Sequence, residues 1–434
     1  MSIPVVTVGQ SREDLVGGLE RLHGPVTVVR RCTELPELLA ACQSGLARAA
    51  VVAEGSEGLT ASLVDRLGAV GVAVIALTDN ADEAARLRKI GAASALTGVE
   101  SSELSARIAD AVAQLTGAAR PFTRSAGADT GAALTTEPVQ PDPGVQDHPT
   151  GKLIVVWGPA GAPGRTTVAV NIAGELAADG RDVLLVDADT YGASVAAVLG
   201  LLDESAGLAQ ACRLADQGLL DLDALRKVAA TVATAAGTFR VLTGVTRAER
   251  WTELRATALA LVLERARQIA DVVVVDSGFC LEADEELSFD TMAPRRNAAT
   301  LRPLELADSV YAIGAADPVG VPRMVRALAE LEVAVPQAAP TVVMNKVRSS
   351  SVGRAPERQL RDAWARFGPQ AELGAFLPYD PEAADAALLS GSLLLEVAPD
   401  SALRRSIHEL ICAPEQRKAK SSVFSSTPRR GAKG

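Results

Sequence analysis

The chain switches repeatedly between two hydrophobic periods. In residues 1–117 the short apolar runs IPVVTVG, PVTVVR, ARAAVVA, VAVIALT and a weaker SAL alternate with stretches such as SREDLVGGLERL and ELPELLAACQSGL, whose apolar residues recur every three or four positions. Continuous apolar runs suit strands buried on both faces, and the intervening stretches suit amphipathic helices. Five such alternations predict an α/β unit with a parallel sheet and helices on both faces. Residues 118–150, AARPFTRSAGADTGAALTTEPVQPDPGVQDHPT, carry neither period and predict a flexible linker. The alternation resumes at Lys152 and runs to about Cys412, which predicts a second α/β domain over 151–412 with a mostly parallel sheet. Residues 413–434 hold six Lys or Arg against one Glu and predict a disordered basic tail.

Within the second domain, LIVVW (153–157) reads as a buried strand and TTVAVNIAGELAADG (166–180) as a helix ended by a glycine. Between them lies GPAGAPGR. Small residues at Gly161, Ala162 and Gly164 let backbone N–H groups turn inward around a phosphate, and the helix N-terminus adds positive potential there. Arg165 supplies a charge, Thr166 a hydroxyl for Mg²⁺, and Thr167 a hydroxyl for a phosphate oxygen. Two further strands end in acids: VLLVDADTYGASV (183–195) in Asp187 and Asp189, and DVVVVDSGF (271–279) in Asp276. A glycine-rich turn or a strand-ending Asp is common for structural reasons alone. All of them together, at the carboxyl ends of parallel strands, point to a magnesium–nucleotide site.

Composition narrows the classes. Hydrophobic residues make up 48% and aromatics 3%, enough for Ala/Val/Leu cores. A formal net charge of −10 argues against a basic nucleic-acid coat. No apolar run approaches the roughly 20 residues that span a bilayer, and the first residues lack the pattern of a signal peptide. The five Cys are scattered with no C-x-x-C spacing, which fits a reduced cytoplasm. The three His are read as isolated from one another and from the cysteines, so neither zinc chemistry nor a His-activated nucleophile is expected. The tail holds too little apolar surface for a membrane helix, but its charge suits weak contact with anionic lipid or nucleic acid.

Residues 151–412 resemble the MinD/ParA group of P-loop ATPases, whose loop reads K-G-G-x-G-K-T-T. The corresponding run here is Ala160-Gly161-Ala162-Pro163-Gly164-Arg165-Thr166-Thr167. The resemblance implies ATP and Mg²⁺ as cofactors and a nucleotide-dependent dimer. It assigns Arg165 to the loop lysine's place and makes Asp189 the water-orienting or metal-linked residue. It joins Asp276 to Mg²⁺ through water beside Thr166, and gives Asn345 in VVMNKV (342–347) the reading of adenine. LPYDPEAADAALLSG (377–391) resembles the loop that closes over the base. With a front domain resembling an atypical receiver, the order is that of the CpaE/TadZ proteins, localisation factors for pilus and polar or septal machinery. The implied protein is a spatial regulator or assembly factor, free in the cytoplasm or peripheral at membrane, pole or septum, with partners in pilus, secretion or septal machinery. The alternatives are a scaffold that binds nucleotide without hydrolysing it, and a metabolic P-loop enzyme. The latter is weakened by the lack of a cysteine pair for a cluster and of a recognisable second-substrate site.

Departures from the family pattern are specific. Ala160 stands at the signature lysine that reaches a partner's nucleotide. Arg165 is longer and planar compared with lysine, Pro163 removes one N–H donor, and Ala162 replaces a glycine. In the front domain, Ala53 or Glu54 stands where a phosphoacceptor Asp would follow strand three. Gly9 and Gln10 stand at the metal-binding acids and Thr97 near the expected Lys, while Thr78 matches. An unphosphorylated interaction or targeting domain is expected. Arg295, Arg296 and Asn297 read in two ways: as charge donors replacing the missing lysine, at the phosphate or across a dimer interface, or as a basic turn paired with Glu282, Asp284, Glu285 and Glu286.

Overall fold

The computed structural model describes residues 2–9, 15–22, 24–117, 150–201, 205–235, 237–282 and 295–412. The expected linker up to residue 149, the basic tail, Gln10 and the acids at 284–286 lie outside the described residues. The chain divides into two compact units, one of Met1–Pro149 with Leu214–Leu219, the other of Thr150–Arg213 with Leu220–Gly434.

The first unit has five strands, β1 (Ile3–Val8), β2 (Val26–Cys32), β3 (Ala49–Val52), β4 (Ala73–Leu77) and β5 (Ala93–Ala95). They form a parallel sheet in the order β2-β1-β3-β4-β5, the doubly wound order in which β1 starts the sheet and the chain reverses direction beside it. β3 and β4 are buried along their whole length, which is why AAVV and AVIAL carry no polar residue. Gly9 is required by packing: at φ 86° a side chain there would put its Cβ 2.6 Å from the Glu54 backbone nitrogen. Thr97 is tied to Asp79, which accepts its backbone N–H at 3.0 Å and also its hydroxyl.

The second unit has eight strands: β6 (Lys152–Trp157), β7 (Val183–Ala188), β8 (Ala230–Thr234), β9 (Gly237–Leu242), β10 (Val272–Ser277), β11 (Ser309–Ala315), β12 (Pro340–Val347) and β13 (Leu373–Pro378). Their order is β13-β12-β11-β6-β10-β7-β9-β8, parallel except for the antiparallel β8–β9 pair. The three central strands β6, β10 and β7 are almost wholly buried, so they read as unbroken apolar runs up to their acidic ends. β6 connects outward to β7 on one side and β11 lies on the other. The carboxyl end of β6 is therefore a switch point, where open α/β sheets form a ligand crevice.

After β6 the chain turns at Gly164 (φ 97°) into the helix Arg165–Ala178, which ends at Asp179 and the left-handed Gly180. Val168 to Glu175 are all buried. The helix lies between the sheet and a helix over 402–412, whose Leu403, Ile407 and Leu410 share one core with Val168, Ile172 and Val274. This two-sided cover explains why the helix is Ala/Val/Ile-rich rather than amphipathic.

Two segments differ from their sequence reading. VVMNKV does not follow a strand but is its end: β12 runs through Val347, with an irregular register between Met344 and Val347 and Lys346 at φ 59°. The segment 377–391 is mostly helix, not loop. Asp380 caps Pro381–Ser390 by accepting the Ala383 N–H, and Gly391 closes it in the left-handed region. Asp-Pro-Glu before an Ala-rich run is a helix start, and Gly391 a helix stop.

Candidate functional site

Three residues of the loop after β6 have positive φ: Gly161 (108°), Ala162 (51°) and Gly164 (97°). Such conformations turn successive N–H groups to one side, making an anion-binding concavity. Glycine at 164 is favoured by its φ and by space, because a Cβ there would lie 2.5 Å from Asn345 Nδ2 and displace that side chain. Ala162 holds a left-handed conformation that costs an L-residue about 1–2 kcal/mol, strain retained at the concavity itself. Two side chains of β12 brace the loop: Asn345 Nδ2 donates to the Pro163 carbonyl at 2.8 Å, and Lys346 Nζ to the Ala162 carbonyl at 2.9 Å.

Below the loop the acids converge. β10 and β7 are in register so that Asp276 pairs with Asp187, placing two carboxylates side by side on neighbouring strands. Thr166 Oγ1 donates to Asp276 Oδ2 at 2.6 Å, while the buried Asp276 Oδ1 has no hydrogen-bond partner among the described residues. Asp187 accepts the N–H groups of Val195 at 3.0 Å and Asp189 at 3.3 Å. Burial pushes the Asp187 carboxyl up to about 7, opposed by those N–H groups and reinforced by the charge of Asp189. Burial, and then the charge of Asp187, raise the Asp276 carboxyl well above the usual carboxylate range. Two buried acids with an unpartnered oxygen beside a threonine hydroxyl form an all-oxygen donor set short of positive charge. That set fits Mg²⁺, which prefers hard oxygen ligands.

Arg165 borders the cavity beside the loop but is tied to protein partners. Its Nη2 lies 3.0 Å from Asp189 Oδ2, and its Nη1 donates to the Gly158 carbonyl at 2.8 Å. The other oxygen of Asp189 accepts the N–H groups of Tyr191 at 2.9 Å and Gly192 at 3.1 Å, so Asp189 organises the turn after β7. A ladder of cations and rings follows. The Arg165 guanidinium lies 5.9 Å from the Phe279 centroid, Phe279 4.9 Å from Tyr191, and the Arg296 guanidinium 3.8 Å from Tyr191. Arg296 Nη2 also donates to the Thr190 carbonyl at 2.6 Å. Asn297 accepts the Tyr191 hydroxyl at 2.8 Å and donates to the Glu282 carbonyl at 2.9 Å. Arg296 is thus neither a solvated basic turn nor a phosphate donor in this arrangement; it is packed on the turn after β7. Arg295 is exposed.

A cavity of about 760 Å³ opens beside the loop, within the range of small-molecule sites. Gly161, Ala162, Gly164, Arg165, Thr166 and Thr167 border it from the loop side. Asp189, Asn345 and the segment from Pro378 to Leu388 border it from the others, while Asp276 lies buried behind Thr166. Each polar atom of Asn345 makes one bond, the oxygen accepting the Lys346 N–H at 2.7 Å, which leaves one N–H and one lone pair for a base. Sequence reasoning overlooked Lys346, Tyr191 and Phe279. The aromatic pair carried a usable signal: in a chain with only three Tyr and seven Phe, each sits a few residues beyond a strand-ending Asp.

No helix among the described residues is long and apolar enough to cross a membrane. Curated proteins include no match to the chain. Among solved structures, the cell division ATPase MinD of Pyrococcus furiosus is 21% identical, covering 62% of this chain and 99% of its own, with a TM-score of 0.47. The septum site-determining protein MinD of Pyrococcus horikoshii OT3, complexed with Mg-ADP, is 20% identical over 62% of this chain and 97% of its own, with the same TM-score of 0.47. A ParA family ATPase from Chlorobium tepidum TLS is 18% identical over 59% and 97%, again at 0.47. The family described as the CobQ/CobB/MinD/ParA nucleotide binding domain matches residues 154–391, from the first strand of the second unit to the glycine that closes the helix at the cavity's edge. That match spans more than half of the chain and takes in the loop, both acidic strand ends and Asn345, and by it the chain belongs to the CobQ/CobB/MinD/ParA nucleotide-binding family.

Proposed function

We propose that the second unit binds ATP with Mg²⁺ and that the chain acts as a spatial regulator or assembly factor of the CpaE/TadZ type. The observation that carries the nucleotide part of this reading is the Thr166–Asp276 bond under a formed loop, with the second Asp276 oxygen unpartnered. Thr166 and Asp276 would hold the ion, which when bound neutralises phosphate charge. The N–H groups of the loop and the Thr167 hydroxyl would hold phosphate oxygens, and Asn345 with the Pro378–Leu388 segment would face the base.

Arg165 reaches a phosphate only by leaving Asp189. A charge-assisted bond is worth about 1.5–3 kcal/mol on either side of that exchange, so the two states lie close in free energy and the phosphate tips the balance. Release of Asp189 frees a carboxylate to orient water. Asp189 holds the turn at 190–192 through its other oxygen, so a shift of the freed carboxylate would pass through Tyr191 to Arg296 and Asn297. This is a nucleotide-dependent switch built from one ion pair and one ladder of rings. The first unit would serve as the targeting or partner-binding module, toward pilus, secretion or septal machinery.

Calorimetric titration with MgATP and MgADP, followed by phosphate release from the same sample, tests the reading. Binding with turnover is expected. Binding without turnover favours the scaffold reading, to which Ala160, Pro163 and the tethered Arg165 lend support. Absence of binding overturns both.

A further inference from the structure

The loop helix has a second cluster at its far end. Asp179, which caps its C-terminus, meets His408 and Cys412 of the helix over 402–412, and one ligand atom from each lies within 4.8 Å of the others. His408 and Cys412 are four residues apart, hence on one helix face. The sequence reading that no histidine neighbours a cysteine is corrected here: His408 Nε2 lies 3.6 Å from Cys412 Sγ. Bonds of about 2.3 Å to sulfur and 2.0–2.1 Å to nitrogen at a tetrahedral angle separate those two atoms by about 3.6 Å.

The surroundings orient the imidazole. His408 Nδ1 lies 3.1 Å from Glu175 Oε2, and Glu175 is only 1% exposed. Arg404 grips the same carboxylate with two bonds, at 2.6 and 2.7 Å, which balances its charge and fixes its position. With Nδ1 donating to Glu175, Nε2 keeps its lone pair on the side of Cys412. A carboxylate behind a ligating imidazole is the usual support of a metal-bound histidine. Asp179 is exposed, and His408 and Cys412 are half-buried, so an ion has a path in.

We propose that Asp179, His408 and Cys412 bind a thiophilic divalent cation of the Zn²⁺ class, with water completing the coordination and Glu175 as the positioning residue behind His408. A nitrogen–sulfur–oxygen set favours Zn²⁺ over Mg²⁺ or Ca²⁺, which take oxygen. On binding, the Cys412 thiol releases its proton to solvent and its sulfur bonds the ion. The ion staples the 402–412 helix to the C-terminus of the helix whose N-terminus forms the phosphate loop. The proposal does not depend on nucleotide binding.

The test uses the full chain, stripped by chelator and titrated with Co²⁺ and then Zn²⁺. One Co²⁺ per chain should give thiolate-to-cobalt charge-transfer absorption, displaced by Zn²⁺. Cys412→Ser should abolish that absorption. His408→Ala and the surface change Asp179→Asn should each weaken Zn²⁺ binding at least tenfold. Zn²⁺ should raise the melting temperature of the parent but not of Cys412→Ser. Lack of the absorption in the parent, its survival in Cys412→Ser, or equal Zn²⁺ affinity in parent and Asp179→Asn would overturn the proposal. Asp179→Asn alters an exposed cap and keeps the test valid even if a helix variant misfolds.

Discussion

Arg165 is held by two partners that a lysine could not engage in the same way, because a planar guanidinium presents parallel donors to Gly158 and Asp189 at once. Nucleotide must compete with that pair, so the net contribution of the side chain is smaller than a free cation would give. Arg165→Ala should weaken MgATP binding about fivefold to tenfold, corresponding to roughly 1 kcal/mol. Asp189→Asn should do the reverse: it removes the competing charge, so MgATP binds several-fold tighter while phosphate release falls. Calorimetry and a phosphate assay on the pair read both signs, and weaker binding in Asp189→Asn would refute the exchange. At this scale Gly161, Gly164, Thr166 and Asp276 were legible because ordered motifs specify local geometry. The pairing of Arg165 with Asp189 and the reach of Lys346 across 184 residues to Ala162 were not, because they depend on how distant strands align. His408 and Cys412 were read as unrelated although their i,i+4 spacing places them on one helix face, and Asp179 joins them only through packing.

Strands and helices were easier to read than their ends. The buried runs of β6, β7 and β10 and the helix after the loop were plain in the hydrophobic pattern. The bulged end of β12 was not, since nothing in VVMNKV announces a left-handed lysine. The segment 295–297 shows how an element divides adjacent residues of one type. Arg296 packs on Tyr191 and bonds Thr190, whereas Arg295 is exposed. Arg296→Ala loses a cation–π contact of about 0.5–2 kcal/mol and a hydrogen bond, so denaturant unfolding should show a loss of about 1–2 kcal/mol. Arg295→Ala should stay within about 0.5 kcal/mol of the parent. Equal effects of the two changes would mean that Arg296 is not anchored on the turn after β7.

For the whole molecule, the buried acids tie stability to pH and to cations. The Asp187 carboxyl stands near 3.8 when unfolded and is raised to about 7 in the folded chain. Between those values the folded state holds more protons, so stability falls as pH rises from about 4 to about 7. Asp276 shifts in the same direction. Melting temperatures in chelator should therefore decline over that window, Mg²⁺ should flatten the decline, and Asp187→Asn should reduce it; a decline unchanged in Asp187→Asn would exclude this cause. Self-association belongs to the same scale. Ala160 offers no charge to a neighbouring copy, so Ala160→Lys should strengthen MgATP-dependent association in sedimentation velocity about tenfold or more while MgATP affinity is kept, because a cation meeting phosphate away from water counts strongly. The loop also joins the best-buried helix of its unit without a buffer between them: Val168 donates to the Gly164 carbonyl, and every residue from Val168 to Glu175 is buried. Amide hydrogen exchange should show this as a step rather than a slope. Val168–Ala173 should exchange only when the whole unit opens, and the amides of Gly161, Ala162 and Gly164 should exchange far sooner. Bound nucleotide should carry protection upstream across that boundary. The chain would thus show its ligand as a shift in where slow exchange begins, readable peptide by peptide.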